Sequence, residues 1–378
     1  MKFSFVIPTY NNKVLLKNTL EALNYQKGYC REDYEVIVVD DGSSDNTYEY
    51  IKDVNRNYPM KYLYLERDSD SCRSRTRNYG WKNSSGEFIV FIDSDIVVKE
   101  NYLQELDRCF ALSTDMLVTG PRLMLDRQTG FDDIGSKKIF EKFYFDTKKY
   151  HLLEYRYYLY SIASYNANAG LCPWIQVYSC NLAVPKVWLK KVGGFDENFK
   201  EWGIEDLEIG YSLYKNGIGL VFDYKLEVLH QYHGERNDLI IEKRKVPGYE
   251  KNIDYFLLKH PEALRMNKKI AYKFLNGDLS TDKMLFFDLK PKKAEIKIEF
   301  KGKDELEAVK KQLSELIRSS EAKITVCDYV EDTDLDIWVQ LLDKTNNIVR
   351  YYPISRQIDI KEMTDYINTE KARQKNAL

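Results

Sequence analysis

With 378 residues, 44% of them apolar, and a formal charge of −2, the chain is long enough to bury a sizeable core and suits two domains, or one large and one small. The balanced charge gives no basic stripe of the kind a nucleic-acid binder shows. No run approaches 18 uninterrupted apolar residues, which argues against a transmembrane, polymer-extruding synthase. Cys30, Cys72, Cys109, Cys172, Cys180 and Cys327 are scattered with no C-x-x-C pair. They read as reduced thiols of a cytoplasmic protein, at most peripheral at a membrane. The chain enters a strand at Phe3 without a signal-peptide pattern.

Phe3–Ile7 reads as a strand, Val14–Tyr25 as a helix, Glu35–Val39 as a second strand and Asn46–Val54 as a short helix. Tyr62–Leu65, a helix around Arg75–Asn83, the strand Phe88–Ile92 and a helix over Glu100–Phe110 follow. Strands alternating with helices predict an α/β fold with a mostly parallel sheet, whose ligands bind beyond the carboxyl ends of the strands. From 126 to 170 an aromatic, charged insert interrupts this rhythm, helical over Tyr150–Tyr165. Cys180–Pro185, Trp188–Phe195 and Glu205–Lys215 resume it, and Glu235–His260 is polar and helical. Past Lys290 the spacing predicts a second, smaller α/β domain. Its strands are Ala294–Phe300, Lys323–Cys327, Leu335–Leu341 and Ile348–Ile354, and Ile360–Ile367 is a helix. Asp304 to Glu307 is spaced as a capping box before a helix burying Leu306, Val309, Leu313, Leu316 and Ile317. The expected division is 1–235, a linking helical extension over 236–289, and 290–378.

The chemistry-bearing residues cluster just after strands. Asp93 and Asp95, separated by Ser94 at a strand end, can share a hard divalent cation, Mg²⁺ or Mn²⁺. After the first strand comes Pro8-Thr9-Tyr10-Asn11, and after the second Asp40-Asp41-Gly42-Ser43-Ser44-Asp45. Tyr10 suits a planar base, and Asp40 or Asp41 an N–H of uracil; Asp45 reads as a helix N-cap. Arg73, Arg75 and Arg77 offer guanidinium groups to phosphate or carboxylate, with Arg73 and Arg77 on one helical face. His230 and His233 invite a metal reading, and Trp174 and Trp202 offer stacking platforms for sugar rings.

Pro8-Thr9-Tyr10-Asn11, Asp40-Asp41-Gly42-Ser43, Arg77-Asn78-Tyr79-Gly80 and Asp93-Ser94-Asp95 follow the order and spacing of family 2 glycosyltransferases, which the chain resembles over residues 3–236. Gly193-Gly194-Phe195-Asp196-Glu197 and Trp202-Gly203-Ile204-Glu205-Asp206 resemble the acceptor half of galactosyltransferase-type and N-acetylgalactosaminyltransferase-type enzymes. The resemblance implies a GT-A fold, a Rossmann-like nucleotide-sugar-binding sheet. It implies that Asp40 contacts uracil and that Tyr10, with Pro8, Thr9, Asn11 and Asp41, lines the base pocket. Asp95 would ligate the metal, Asp93 would lie near ribose or metal with Ser94 beside it, and Arg73 and Arg77 would reach the donor site. His233 would complete the metal in preference to His230, with Arg236 on the diphosphate, Asn181 against the donor sugar and Trp202 nearby. Asp206, or failing it Glu205, would be the catalytic base.

The expected activity is metal-dependent transfer of a hexose or N-acetylhexosamine from a UDP-sugar to an acceptor hydroxyl, with inversion. The acceptor would be a glycan, a lipid-linked sugar or a peptide, and oligomerisation would run through residues 290–378. A sugar-phosphate nucleotidyltransferase would need a glycine-rich loop after the first strand, where this chain has none. A non-catalytic nucleotide-sugar binder would be favoured by loss of Asp95 or Asp206, and both are present.

Overall fold

Strands β1 (Phe3–Thr9), β2 (Tyr34–Asp40) and β4 (Phe88–Ile92) are near-continuous apolar runs, as strands covered on both faces must be. A computed structural model describes residues 1–168, 172–234, 246–264, 268–275, 294–319, 322–342 and 349–376. Within it β1 pairs in parallel with both β2 and β4, and β2 with β3 (Met60–Tyr64). With β5 (Ile96–Val97), β6 (Met116–Thr119), β7 (Arg122–Met124), β8 (Asn181–Pro185) and β9 (Gly219–Phe222) in chain order, the main sheet runs β3-β2-β1-β4-β8-β6-β9. β8 is antiparallel to both β4 and β6, so the sheet is mixed rather than wholly parallel.

One face of the sheet sets Phe5, Ile7, Val36 and Val38 against Leu16 and Leu20 of the helix Lys13–Leu23. The other sets Val6, Ile89 and Phe91 beside Trp81 of the helix Arg73–Lys82. That helix lies so close that a Cβ on Gly80 would come 2.3 Å from Val6 Cγ1, which is why glycine stands there. Strand order reverses between β1 and β4, the switch point beyond whose carboxyl ends sheets of this kind bind their ligands. A second sheet, β5-β10-β7, forms where β10 (Val228–His230) pairs antiparallel with β5 and parallel with β7.

Strands β11 (Ala294–Phe300), β12 (Ala322–Asp328) and β13 (Val349–Pro353) make a parallel three-stranded sheet. Two expectations fail here. Leu335–Leu341 is not a strand but part of the helix Leu335–Leu342, because β12 and β13 are parallel and their crossover needs such an element. Asp304 caps nothing: a 3₁₀ turn over Lys303–Glu305 precedes the helix Leu306–Ser319, and Glu305 Oε2 accepts from the Lys301 N–H at 3.3 Å instead. The expected extension over 236–289 is described only in part, by the helices Val246–Lys259 and Lys268–Leu275. Arg236 lies outside the described residues. No helix among the described residues is long and apolar enough to cross a membrane.

Candidate active site

The loops after β1 and β2 are sewn together by polar contacts. Asp41 N–H donates to Thr9 O at 3.0 Å. Asn11, at φ +49°, donates its N–H to Ser43 Oγ and accepts from Ser44 N, each at 2.8 Å. Asp40 is 1% exposed, and both of its oxygens are engaged, one by Ser43 N–H at 2.7 Å and the other by the Tyr62 hydroxyl. This carboxylate holds the loop. Its neighbour is differently placed. Asp41 Oδ2 accepts from Arg67 Nη1 at 2.6 Å, while Asp41 Oδ1 is buried and accepts no hydrogen bond. Burial raises the pKa of Asp41 against the opposing pull of Arg67.

Arg67 also covers Tyr10, its guanidinium carbon 4.0 Å from the ring centroid. Tyr10 stays largely exposed, Pro8 is half-buried and Thr9 is buried. Arg67 belongs to no sequence motif, yet it lies just past β3, where strand-end residues of such sheets meet ligands. Asp45 caps a different helix from the one expected: its Oδ2 accepts from Lys13 N–H at 3.2 Å, at the start of Lys13–Leu23. Ser94 is buried and engaged, its hydroxyl accepting from Asn12 Nδ2 at 2.9 Å and its carbonyl from the Thr19 hydroxyl.

Arg77 joins the Asp93-Ser94-Asp95 motif to the Glu205-Asp206 motif. Its Nη2 donates to Asp93 Oδ1 at 3.2 Å, and its Nη1 lies 3.4 Å from Glu205 Oε1 and 3.7 Å from Asp206 Oδ1. The arginine is 2% exposed, so these charges meet at low dielectric. Burial works against ionisation of Asp93, yet Arg77, Arg73 and Arg122 hold its pKa below the ordinary carboxylate value. Glu205 goes the other way, raised by burial and then by the charge of Asp206. Arg73 is exposed and acts on both carboxylates through its field. Asp206 is partly exposed and accepts from the Ser179 hydroxyl, which aims it. Ile204, the residue before this helix, sits at φ +72°, a left-handed conformation that strains a β-branched side chain.

The second carboxylate of the D-x-D motif belongs to a separate group. Antiparallel pairing of β10 with β5, continued by Gln231 N–H donating to Asp95 O at 2.9 Å, lays the segment after β10 along Asp95. His230 Nε2 is then 3.6 Å and His233 Nε2 3.8 Å from Asp95 Oδ2. One ligand atom from each of the three lies within 4.8 Å of the others, and Asp95 Oδ1 is buried without a hydrogen-bond partner. Burial lowers the pKa of His230 against the raising pull of Asp95, which favours the neutral imidazole a metal requires. A carboxylate with an orphan oxygen and two imidazoles suits a divalent transition-type cation. Asp93, expected to share that cation, is outside this group and engaged with Arg77, whereas His230, ranked behind His233, is inside it.

Two further expectations fail on burial. Asn181 is 1% exposed and fully engaged, accepting from the Tyr102 hydroxyl at 2.6 Å and donating to Leu226 O at 2.8 Å. It ties β8 to the helix Tyr102–Leu112 and to the turn at Leu226, away from any sugar. Trp174 is wholly buried against Tyr211 and Phe256, so it is core and no stacking platform. Trp202 is half-buried beside Tyr249, with ring centroids 5.8 Å apart.

Residues 4–155 match the family model described as glycosyl transferase family 2, and residues 167–233 the one described as the N-terminal domain of galactosyltransferase. Validoxylamine A glucosyltransferase of Streptomyces hygroscopicus subsp. jinggangensis (strain 5008) is 27% identical over 294 residues, covering 75% of this chain and 67% of its own. Chondroitin synthase of Escherichia coli is 28% identical over 280 residues, covering 71% of this chain and 40% of its own. The chain thus spans well under half of the second relative. The solved structure of S. aureus TarS 1–349 in complex with UDP-GlcNAc has a TM-score of 0.50 at 17% identity, covering 84% of this chain and 81% of that chain. That likeness is one of fold, the GT-A arrangement.

Proposed function

We propose that this chain, which belongs to glycosyl transferase family 2, transfers a hexose or N-acetylhexosamine from a UDP-sugar to a hydroxyl of a glycan or glycoconjugate, with inversion. The observation that carries the reading is the reach of Arg77, which holds the donor-side Asp93 and the acceptor-side pair Glu205 and Asp206 around one guanidinium. Donor leaving group and acceptor proton are then handled within one crevice. The names of the relatives, a glucosyltransferase and a chondroitin synthase, support hexosyl transfer.

Asp206 takes the proton of the acceptor hydroxyl as its oxygen attacks C1 of the donor sugar. The C1–O bond to the diphosphate breaks on the opposite face, and its electron pair leaves with UDP. Ser179 orients Asp206, and Arg77 Nη1 lies 3.7 Å from its Oδ1, beside the more deeply buried Glu205. Asp41 Oδ1 is the free acceptor for a uracil N–H, with Tyr10 and Arg67 alongside the base. Asp95, His230 and His233 would hold a divalent cation, and two imidazoles among three ligands move the preference from Mg²⁺ towards Mn²⁺. When bound, that cation supplies Lewis-acid compensation of the diphosphate charge.

The test is UDP release and product formation from a panel of UDP-sugars with Mn²⁺, followed by NMR of the product anomer. Asp206→Asn is expected to abolish transfer while retaining UDP binding. Normal transfer by that variant would remove Asp206 as the base.

A further inference from the structure

The acceptor loop Glu201–Ile204 is held from outside by the helix Val246–Lys259, which belongs to neither motif set. Asn252 of that helix is 4% exposed, and its Nδ2 donates to Gly203 O at 2.7 Å and to Glu201 O at 3.1 Å. The two carbonyls flank Trp202, so one amide fixes the backbone on both sides of the indole. The same helix presses Tyr249 onto Gly203, where a Cβ would meet the ring at 2.6 Å. Immediately after this clamp the chain makes its left-handed residue, Ile204 at φ +72°, and starts the helix bearing Glu205 and Asp206. A strained, β-branched residue keeps such a conformation only when its surroundings over-determine it.

We infer that Asn252 is a positioning residue for transfer, its amide holding the strained Trp202-Gly203-Ile204 turn so that Asp206 faces the acceptor. The inference rests on the glycosyltransferase reading above. It assigns Asn252 no contact with substrate: the amide acts through the backbone of 201–204. Donor binding, which uses the loops after β1, β2 and β4, is independent of it.

The chemistry of the clamp gives a test that a merely structural role would not satisfy. Asn252→Asp is isosteric but replaces the N–H donor by a carboxylate facing two carbonyl oxygens. Only its protonated form restores a donor. In a full-length comparison with wild type, kcat for transfer is expected to fall about ten-fold or more at pH 8 with the donor KM nearly unchanged. The ratio of variant to wild-type kcat is expected to climb as pH falls towards 6. Tyr255→Phe is the control on the same helix. It removes the hydroxyl bond to Asp196 Oδ2 at 2.9 Å and leaves the clamp intact, so transfer should persist even where the melting temperature drops. Unchanged kcat in Asn252→Asp, a pH-independent ratio, or a loss of donor affinity equal to the loss of kcat would each overturn the inference. Failure of wild type itself to turn over any UDP-sugar would instead remove the reading on which it rests.

Discussion

Gln340 pairs with Phe222 as a neighbouring strand would. Its Nε2 donates to the Phe222 carbonyl at 3.1 Å, and its Oε1 accepts from the Phe222 N–H at 3.0 Å. Phe222 ends β9, the edge strand of the main sheet, and Gln340 is completely buried on the helix Leu335–Leu342. A side-chain amide thus completes the backbone hydrogen bonding of a buried edge, which would otherwise be left open. The helix between β12 and β13 is in this way fastened to the nucleotide-sugar-binding sheet.

Gln340→Leu keeps the volume and removes both partners of Phe222. Leaving the buried N–H groups of Phe222 and Ala167 and the Phe222 carbonyl unpaired is expected to cost about 3–6 kcal/mol. Chemical denaturation should show that loss, and donor affinity measured well below the transition should stay at the wild-type value. A variant as stable as wild type would mean that water or relaxation satisfies the edge.

The grouping of Asp95 with both histidines predicts how metal affinity divides among residues. In titrations of Mn²⁺ with UDP present, His230→Ala and His233→Ala should each weaken binding by at least the roughly 10–100-fold that loss of an outer-shell partner costs. Asp93→Asn should leave most of that affinity in place and still impair transfer, because it detaches Arg77 from the donor side. Abolition of Mn²⁺ binding by Asp93→Asn would make that residue a ligand.

Asp40 and Asp41 are adjacent in sequence and differently partnered. Asp41→Asn is expected to lower UDP affinity by about ten-fold, the worth of one charge-assisted hydrogen bond, with little change in melting temperature. Asp40→Ala should do the reverse at first, lowering the melting temperature because Ser43 N–H and the Tyr62 hydroxyl lose their acceptor. Calorimetry with UDP and thermal denaturation on the two variants separate the roles. Equal effects on both measurements would remove the distinction.

The parallel core was legible because strands covered on both faces are written as apolar runs, and Phe3–Ile7 and Phe88–Ile92 could hardly be anything else. The segment at 335–342 is equally apolar, and only the parallel pairing of its flanking strands decides that it is a helix. Candidate site residues were visible where they follow strands, as at Asp40-Asp41 and Asp93-Ser94-Asp95. What sequence could not supply was which neighbour takes which partner. Asp40 and Asp41 are chemically identical until Tyr62 of β3 and Arg67 just past it claim one each. His230 stands beside Asp95 because β10 turns antiparallel to β5, a pairing that no local pattern announces. Asn181 misled for the opposite reason: a polar residue in a strand next to a site was satisfied by the core instead.

Glu227, just before β10, gives the pH dependence of the fold a definite sign. It is 2% exposed, with Lys99 Nζ at 3.2 Å, Arg356 Nη1 at 3.0 Å and the Tyr157 hydroxyl on its carboxylate. Burial acts to raise its pKa, but Lys99 and Arg356 prevail and hold it below the ordinary 4.5. A carboxylate depressed in the folded state binds fewer protons folded than unfolded across that interval, so its stabilisation is present above the unfolded pKa. It is lost as pH falls through the folded pKa. Glu227→Gln is therefore expected to cost about 1.5–3 kcal/mol at pH 7, the worth of hydrogen bonds to a charged group. The difference from wild type should narrow steadily below about pH 4.5 as the wild-type carboxylate protonates. Urea denaturation of both proteins at several pH values checks this. A gap that stays constant down to acid pH would show that Glu227 acts through its shape and neutral hydrogen bonds, with its charge contributing nothing.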